Sequence, residues 1–168
     1  MSQLQIILLG LTTLLAVGGI TAILSPRIFV RTPFQILLSI LYRKEIVGIE
    51  NLPKQGGCIV VSNHISWLDG ILILWMLPRN VRFVVDGGNF RNPMLRYFAG
   101  AFDTILMMPS PKSIGRALKT ANESLLASEA VGIFPEGTIT RTGQLQAFKP
   151  GIQKITKGTD APIIPMWM

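Results

Sequence analysis

His64 is the only histidine in the chain. It directly follows the apolar run Cys58-Ile59-Val60-Val61-Ser62-Asn63 and precedes a helix expected to begin near Ser66, so it projects from the carboxyl end of a strand, a position that ligand and reaction sites favour. Asp69 stands five residues on. In one continuous helix that offset is about 140° around the axis, and the two side chains would not meet. His64 therefore belongs to the strand-to-helix turn and Asp69 to the first helical turn. The carboxylate can then receive the Nδ1 proton and leave Nε2 free to accept another, which makes a general-base pair without its own nucleophile. The same spacing has a second reading, because Ser66-Trp67-Leu68-Asp69 fits a capping box in which Asp69 serves only the helix start. Spacing leaves both open, and they can coexist.

A second constellation is Phe134-Pro135-Glu136-Gly137-Thr138-Ile139-Thr140-Arg141-Thr142-Gly143, again behind an apolar strand-like run. Pro135 and Gly137 break the strand, so a carboxylate, hydroxyls, an arginine and backbone N–H groups converge on one loop. Arginine and loop amides bind phosphate oxygens. Lys149 lies a little further on. The plainer alternative is a surface turn in which Glu136 pairs with Arg141. The single cysteine, Cys58, starts a buried strand and reads as core, and one Cys with one His does not furnish a usual zinc ligand set.

These groups need a scaffold that brings two strand ends to one edge. Strand-like runs at 45–49, 58–63, 81–86, 104–108, 130–134 and 162–167 alternate with helix-length segments, the pattern of an α/β domain around a largely buried sheet. Asn51 to Pro53 with Gly56 and Gly57 mark the first turn. A helix is expected over 112–127, with Ile114, Leu118, Ala121 and Leu125 on one stripe.

The 168 residues carry 16 Lys plus Arg against 9 Asp plus Glu, a net charge of +7, and 49% are hydrophobic. That excludes disorder. A mean hydropathy of +0.45 is too apolar for an ordinary soluble domain and points to a membrane. Only 8% of residues are aromatic and no Lys/Arg run exceeds two, which argues against a nucleic-acid groove and for anionic lipid or phosphate. No charge occurs from Ser2 to Pro26, and residues 4–24 are long enough to cross about 30 Å of hydrocarbon as one helix. A cleaved signal peptide fits less well, since a basic leader and a small-x-small site are missing; the other alternative is a buried core helix. Arg27, Arg31, Arg43 and Lys44 follow before any acid, so the positive-inside rule puts the rest of the chain on the cytoplasmic face. A short apolar helix over about 33–42, capped by Thr32 and opened by Pro33, is expected to lie in the interface or against the first helix.

Asn63-His64-x4-Asp69 followed by the Phe134 block resembles the glycerolipid acyltransferases, the lysophosphatidic acid and lysophospholipid acyltransferase family. Gly48-Ile49-Glu50-Asn51-Leu52-Pro53 and Ala161-Pro162-Ile163-Ile164-Pro165 look like the family's lead-in and fourth motif. The resemblance implies a glycerolphosphate-acyltransferase-like α/β fold with a mixed sheet over 44–168 behind a membrane anchor at 1–43. It implies O-acyl transfer from an acyl thioester, acyl-CoA or acyl-carrier protein, to the free hydroxyl of a lysophospholipid in phospholipid synthesis. His64 would take the hydroxyl proton and Asp69 orient it. Glu136, Gly137, Thr138, Arg141 and Lys149 would hold the acceptor, with no acyl-enzyme, metal or prosthetic group. Two departures stand out. The second block, residues 104–108, runs into Pro109-Ser110-Pro111 where the family usually has a basic residue, and Ile139 stands where an arginine is common. These features look closest to the acyltransferase segment of bifunctional lysophosphatidylethanolamine acyltransferase/acyl-carrier-protein synthetases. Relatives continue with further strands and helices beyond Trp167-Met168, so a C-terminally incomplete domain is expected. The competing expectations are a catalytically weak lipid-binding or scaffolding module and a soluble hydrolase that uses His64 and water.

Overall fold

Five of the six apolar runs become strands: β1 (Cys58–Ser62), β2 (Val81–Asp86), β3 (Ile105–Met107), β4 (Ala130–Ile133) and β5 (Ile163–Met166). The computed structural model describes residues 2–90 and 92–168, with Pro26, Arg27 and Asn89 described by their backbone alone. The strands form one sheet in the order β3-β2-β4-β1-β5. The α/β class is as expected, but the sheet expected to be mixed is parallel in every pair. Each strand returns to its starting edge through helix or loop rather than through a hairpin, which is what parallel pairing requires. All five carboxyl ends therefore share one rim.

The run at 45–49 is not a strand. Val47 is 91% exposed, Gly48 adopts a left-handed φ of +80°, and a 3₁₀ turn follows at Ile49–Asn51. An apolar run without a neighbouring strand has nothing to pair its backbone with, so period alone misleads here.

One sheet face, with Ile59, Val131 and Ile133, is covered by α5 (Pro111–Leu126) and α6 (Gly151–Thr156). The buried stripe of α5 is Ala117, Leu118, Ala121 and Leu125, whereas Ile114 at its start is exposed. Ser110 caps this helix by accepting the Ser113 N–H at 3.3 Å, and Pro111 opens it, one residue before the expected start. The other face, with Val60, Val81 and Phe83, packs around Ile73 of α3 (Asp69–Met76). Gly132 lies in β4 opposite Val60. A Cβ there would come 2.5–2.7 Å from three ring atoms of the buried Phe83, so a side chain is excluded by the ring.

Two helices precede the sheet. α1 (Gln3–Leu24) has 22 residues, a mean hydropathy of 2.3 over its best window and none of that window buried, so it is long and apolar enough to cross a membrane and is not a core helix. α2 (Pro26–Leu41) starts at Pro26 and runs through Pro33, where a helix start was expected. Ser25 followed by a first-turn proline already begins a helix. Val30, Phe34 and Leu38 then share one face at i, i+4 spacing, and Val30 and Phe34 pack on Ala101, Phe102 and Phe98, burial that offsets the interior proline's lost hydrogen bond. The helix thus packs one face on α4 (Pro93–Ala101) and its following residues, while Ile28, Phe29, Ile36, Leu37, Ile40 and Leu41 stay exposed. Arg31 fixes it there, donating from Nε to the Ala101 carbonyl and from a terminal nitrogen to Asn80 Oδ1, each at 2.8 Å, with Asp103 3.5 Å away. Tyr97 of α4 donates its hydroxyl to the Ala22 carbonyl in the last turn of α1 at 2.6 Å. The Arg27 side chain, one of the four cations expected behind the span, lies outside the described residues.

Gly132→Ala is expected to destabilise the protein by about 1–3 kcal/mol through overpacking against Phe83. Thermal unfolding in detergent micelles checks it; an unchanged Tm would show that the ring moves aside freely.

Candidate active site

β1 ends at Ser62, and the next side chain, Asn63, is buried. Its amide donates to the Met168 carbonyl at 3.1 Å and its oxygen accepts the Met168 N–H at 3.0 Å, which ties the segment after β5 to the end of β1. His64 follows with its side chain 18% exposed at the carboxyl rim, as the strand-end position requires. Its Nδ1 lies 2.8 Å from Oδ2 of Asp69. The same oxygen accepts the N–H groups of Ile65 at 2.7 Å and Ser66 at 2.9 Å.

Asp69 is 1% exposed and is the first residue of α3. Burial pushes its carboxyl up, but the hydrogen bonds from Ser66, His64 and Ile65 outweigh this and hold it below the ordinary carboxylate value. An ionised Asp69 demands a proton on Nδ1, and Nε2 is then the nitrogen with a lone pair. The capping box is only half built. Asp69 accepts the Ser66 N–H, but Ser66 Oγ accepts from Leu68 rather than from Asp69, and the residue before the helix makes no side-chain cap. The base-pair geometry and a partial cap coexist.

The loop after β4 closes over the same point. The Phe134 ring lies parallel to the His64 imidazole with centroids 4.0 Å apart and 13° between planes, and Phe134 stacks in turn on Phe83 at 5.3 Å. Glu136, expected to meet substrate, is instead 2% exposed. Its Oε1 accepts the His64 N–H at 3.0 Å and its Oε2 accepts the Gln146 N–H at 2.9 Å. A buried carboxylate with both oxygens taken by backbone donors is a strut between two loops. It does not pair with Arg141, which is exposed and makes no ion pair among the described residues. Thr140 N–H donates to the His64 carbonyl at 2.8 Å, and Lys149 N–H to the Pro135 carbonyl at 2.9 Å.

Gly137 has a φ of +70°, and a Cβ there would meet Lys149 Nζ at 2.6 Å. The end of the lysine chain therefore lies across Gly137, whose left-handed φ itself favours glycine. Thr138 is exposed and its hydroxyl reaches Gln146 Oε1 at 3.3 Å. His64, Asp69, Gly137, Thr138 and Lys149 are brought to one rim, with Arg141 on the same loop. Phe134 as ring partner and Gln146 as the second donor to Glu136 were not singled out from the sequence. An aromatic at a strand end was a visible signal for the first; nothing in the spacing marks the second. Cys58 is fully buried, and burial raises its thiol pKa despite the nearby Arg79, which suits a core residue and not a nucleophile.

A base at the carboxyl rim, beside exposed cations and a glycine-containing loop, suits removal of a proton from an alcohol near a phosphate. Comparison with known proteins adds the following matches. The sequence profile named Acyltransferase matches residues 43–168. A chloroplastic 1-acyl-sn-glycerol-3-phosphate acyltransferase of Brassica napus is 34% identical over 127 residues, which are 74% of this chain and 37% of that protein. The 1-acyl-sn-glycerol-3-phosphate acyltransferase of Bacillus subtilis is 29% identical over 141 residues, 82% of this chain and 68% of that one. The crystal structure of the 1-acyl-sn-glycerophosphate acyltransferase from Thermotoga maritima superposes with a TM-score of 0.66 at 26% identity, covering 83% of this chain and 57% of that chain. The chain thus spans little more than a third of the Brassica protein and about two thirds of the Bacillus one.

The depressed Asp69 pKa has a defined effect on stability. In the unfolded chain this group titrates near about 4. Its contribution is therefore fully present above that pH and is lost as pH falls through the lower folded value. Asp69→Asn is expected to cost about 1–3 kcal/mol at neutral pH and to flatten the loss of stability below about pH 4. Thermal unfolding of both proteins between neutral and acid pH checks it, and parallel acid profiles would contradict it.

Proposed function

Since the chain belongs to the acyltransferase family, we propose that it moves a fatty acyl group from an acyl thioester to the free hydroxyl of a lysophospholipid, 1-acylglycerol-3-phosphate or a related lysolipid. The observation that carries this reading is the 2.8 Å contact between His64 Nδ1 and an ionised, buried Asp69, which leaves Nε2 as a base at an open rim. Nε2 takes the proton of the acceptor hydroxyl as that oxygen attacks the thioester carbonyl. The tetrahedral intermediate collapses, the C–S bond breaks, and the thiolate leaves with the proton returned from Nε2. The acyl group passes directly to the acceptor, so neither an acyl-enzyme nor a resident cofactor is needed. Acyl-CoA and acyl-carrier protein both supply the required thioester.

Arg141 and Lys149 are the acceptor's phosphate ligands in this reading. Both are exposed on the loop held against His64, and among the described residues the N–H groups of Thr138 and Ile139 donate to no protein acceptor. Gly137 admits Lys149 to the site, and Glu136 acts on His64 instead of on substrate. Because the second block lacks a basic residue at 108–110, the phosphate depends more heavily on these two cations. Membrane association follows from α1, and the cations behind it favour an anchor region at 1–43 with one span at about 4–24 and the domain at 44–168 on the cytoplasmic face.

The test is thiol release coupled to diacyl phospholipid formation by the purified chain in mixed micelles of lysophosphatidic acid, with each thioester in turn. Retention of lipid without thiol release would leave a binding module. His64→Ala is expected to lower turnover by about 10²- to 10⁴-fold with the fold intact, because no second histidine can replace the base. Near-normal turnover by the folded variant removes the mechanism.

Arg141→Ala is expected to raise the KM for a phosphate-bearing acceptor by roughly ten- to a hundredfold, the equivalent of about 1.5–3 kcal/mol for one charged hydrogen-bond pair, and to leave the thioester KM unchanged. Initial rates with each substrate varied separately decide it. An unchanged acceptor KM takes Arg141 out of the site.

A further inference from the structure

The hydrogen bonds around His64 leave one motion of its ring unrestrained. Its backbone N–H and carbonyl are held by Glu136 and Thr140, and Nδ1 meets Asp69 Oδ2 at 2.8 Å. A single hydrogen bond fixes where Nδ1 lies but lets the imidazole rock about the line joining the two atoms, because the outer torsion of a histidine side chain has a broad minimum. Rocking carries Nε2 out of line with an acceptor hydroxyl. Phe134 blocks that motion on one side. Its ring lies 4.0 Å from the imidazole and 13° from parallel, so a tilt toward it drives atoms into overlap. Phe134 has little room to retreat. Phe83 stacks on it in turn at 5.3 Å, and Phe83 is itself pressed on the backbone of β4, where a Cβ at Gly132 would come within 2.5–2.7 Å of the Phe83 ring. The first turn of α3 closes the column at its side, since a Cβ at Gly70 would lie 3.9 Å from a Phe134 ring atom and 4.0 Å from one of Phe83. The Phe134 carbonyl accepts the Gly137 N–H at 3.0 Å, which fixes the backbone that carries the ring.

We infer that Phe134 is a positioning residue for acyl transfer: it sets the plane of the His64 imidazole as Asp69 sets its rotation, and the core behind Phe83 keeps it in place. The role rests on the base function proposed above for His64, although the stack itself involves no substrate. A phenyl ring suits the task for two reasons. It is flat, so it meets the imidazole over a whole face and restrains tilt about more than one axis, which a branched aliphatic side chain of similar volume does not. It also carries no hydrogen-bonding atom, so it covers that face without competing for the Nε2 lone pair. Reaction between held groups is sensitive to such restraint, and a displacement of about 1 Å costs about a hundredfold in rate. Phe134 offers neither substrate a polar contact, so its loss belongs in kcat and not in either KM.

The test compares the full chain in detergent micelles with its Phe134→Leu and Phe134→Tyr variants. Initial rates with lysophosphatidic acid and an acyl thioester, each varied in turn, are expected to show kcat lowered about ten- to a hundredfold in Phe134→Leu with both KM values unchanged, and kcat retained in Phe134→Tyr. A second readout needs no turnover. His64 is the only histidine, so its two ring C–H proton resonances are assigned without ambiguity, and the ring current of a stacked phenyl displaces them upfield. That displacement is expected to vanish in Phe134→Leu and to persist in Phe134→Tyr. A folded Phe134→Leu protein with the parent kcat overturns the proposal, as do imidazole resonances that stay at their parent positions. A lower Tm with normal turnover of the folded fraction also overturns it, because that is what packing alone predicts. If Phe134→Leu does not fold by circular dichroism, the unbranched Phe134→Met takes its place. Failure of the parent protein to transfer an acyl group would leave the resonances readable, so loss of the proposed reaction and loss of the positioning role are told apart.

Discussion

A buried carboxylate that stays ionised must be surrounded by donors, and the geometry of this protein's rim follows from satisfying one such group. Asp69 draws the imidazole Nδ1 and two successive backbone N–H groups onto a single oxygen, which bends residues 64–66 around it. Straightening that turn would strand the charge in the interior, a cost larger than most local rearrangements can supply. Glu136 braces the same residue from the other side, accepting the His64 N–H, while the Thr140 N–H donates to the His64 carbonyl. His64 is thereby held at its ring, its donor and its acceptor, and it gains its reach without conformational freedom.

How much of this could be read from residues alone depends on whether the cause was local. The strand at 58–62 and the stripe of α5 are local patterns, and both formed close to the expected bounds. The His64–Asp69 contact was also legible, because a break between strand and helix is the only way for that spacing to bring the two together. The inward turn of Glu136 was not legible, for the opposite reason. Its role is set by N–H groups at residues 64 and 146, far from it in sequence, and a glutamate beside an exposed loop gives no sign that it turns inward. The run at 45–49 and the start of α2 failed likewise: one lacked a neighbour strand, the other found α4 to pack against.

The ring column from Phe83 through Phe134 to His64 joins two properties usually kept apart. Phe83 belongs to the core under β4 and is fitted against Gly132, whereas His64 faces the open rim. Packing in the core and the plane of the imidazole are consequently coupled. Close-packed interiors transmit small displacements instead of absorbing them.

The joint between α2 and the domain bears on how lipid is counted. Val30 and Phe34 are packed on α4 and its following turn, Arg31 is bonded to Ala101 and Asn80, and the end of α1 is held by Tyr97. Among the described residues, these contacts join the apolar helix directly to the domain. With α1 in a bilayer, the domain cannot sweep a volume of solution, and the membrane lipids it meets are those diffusing sideways beneath it. For any molecule resident in that bilayer the relevant concentration is then a surface density, so adding inert lipid around the same total amount dilutes it as effectively as adding water dilutes a solute.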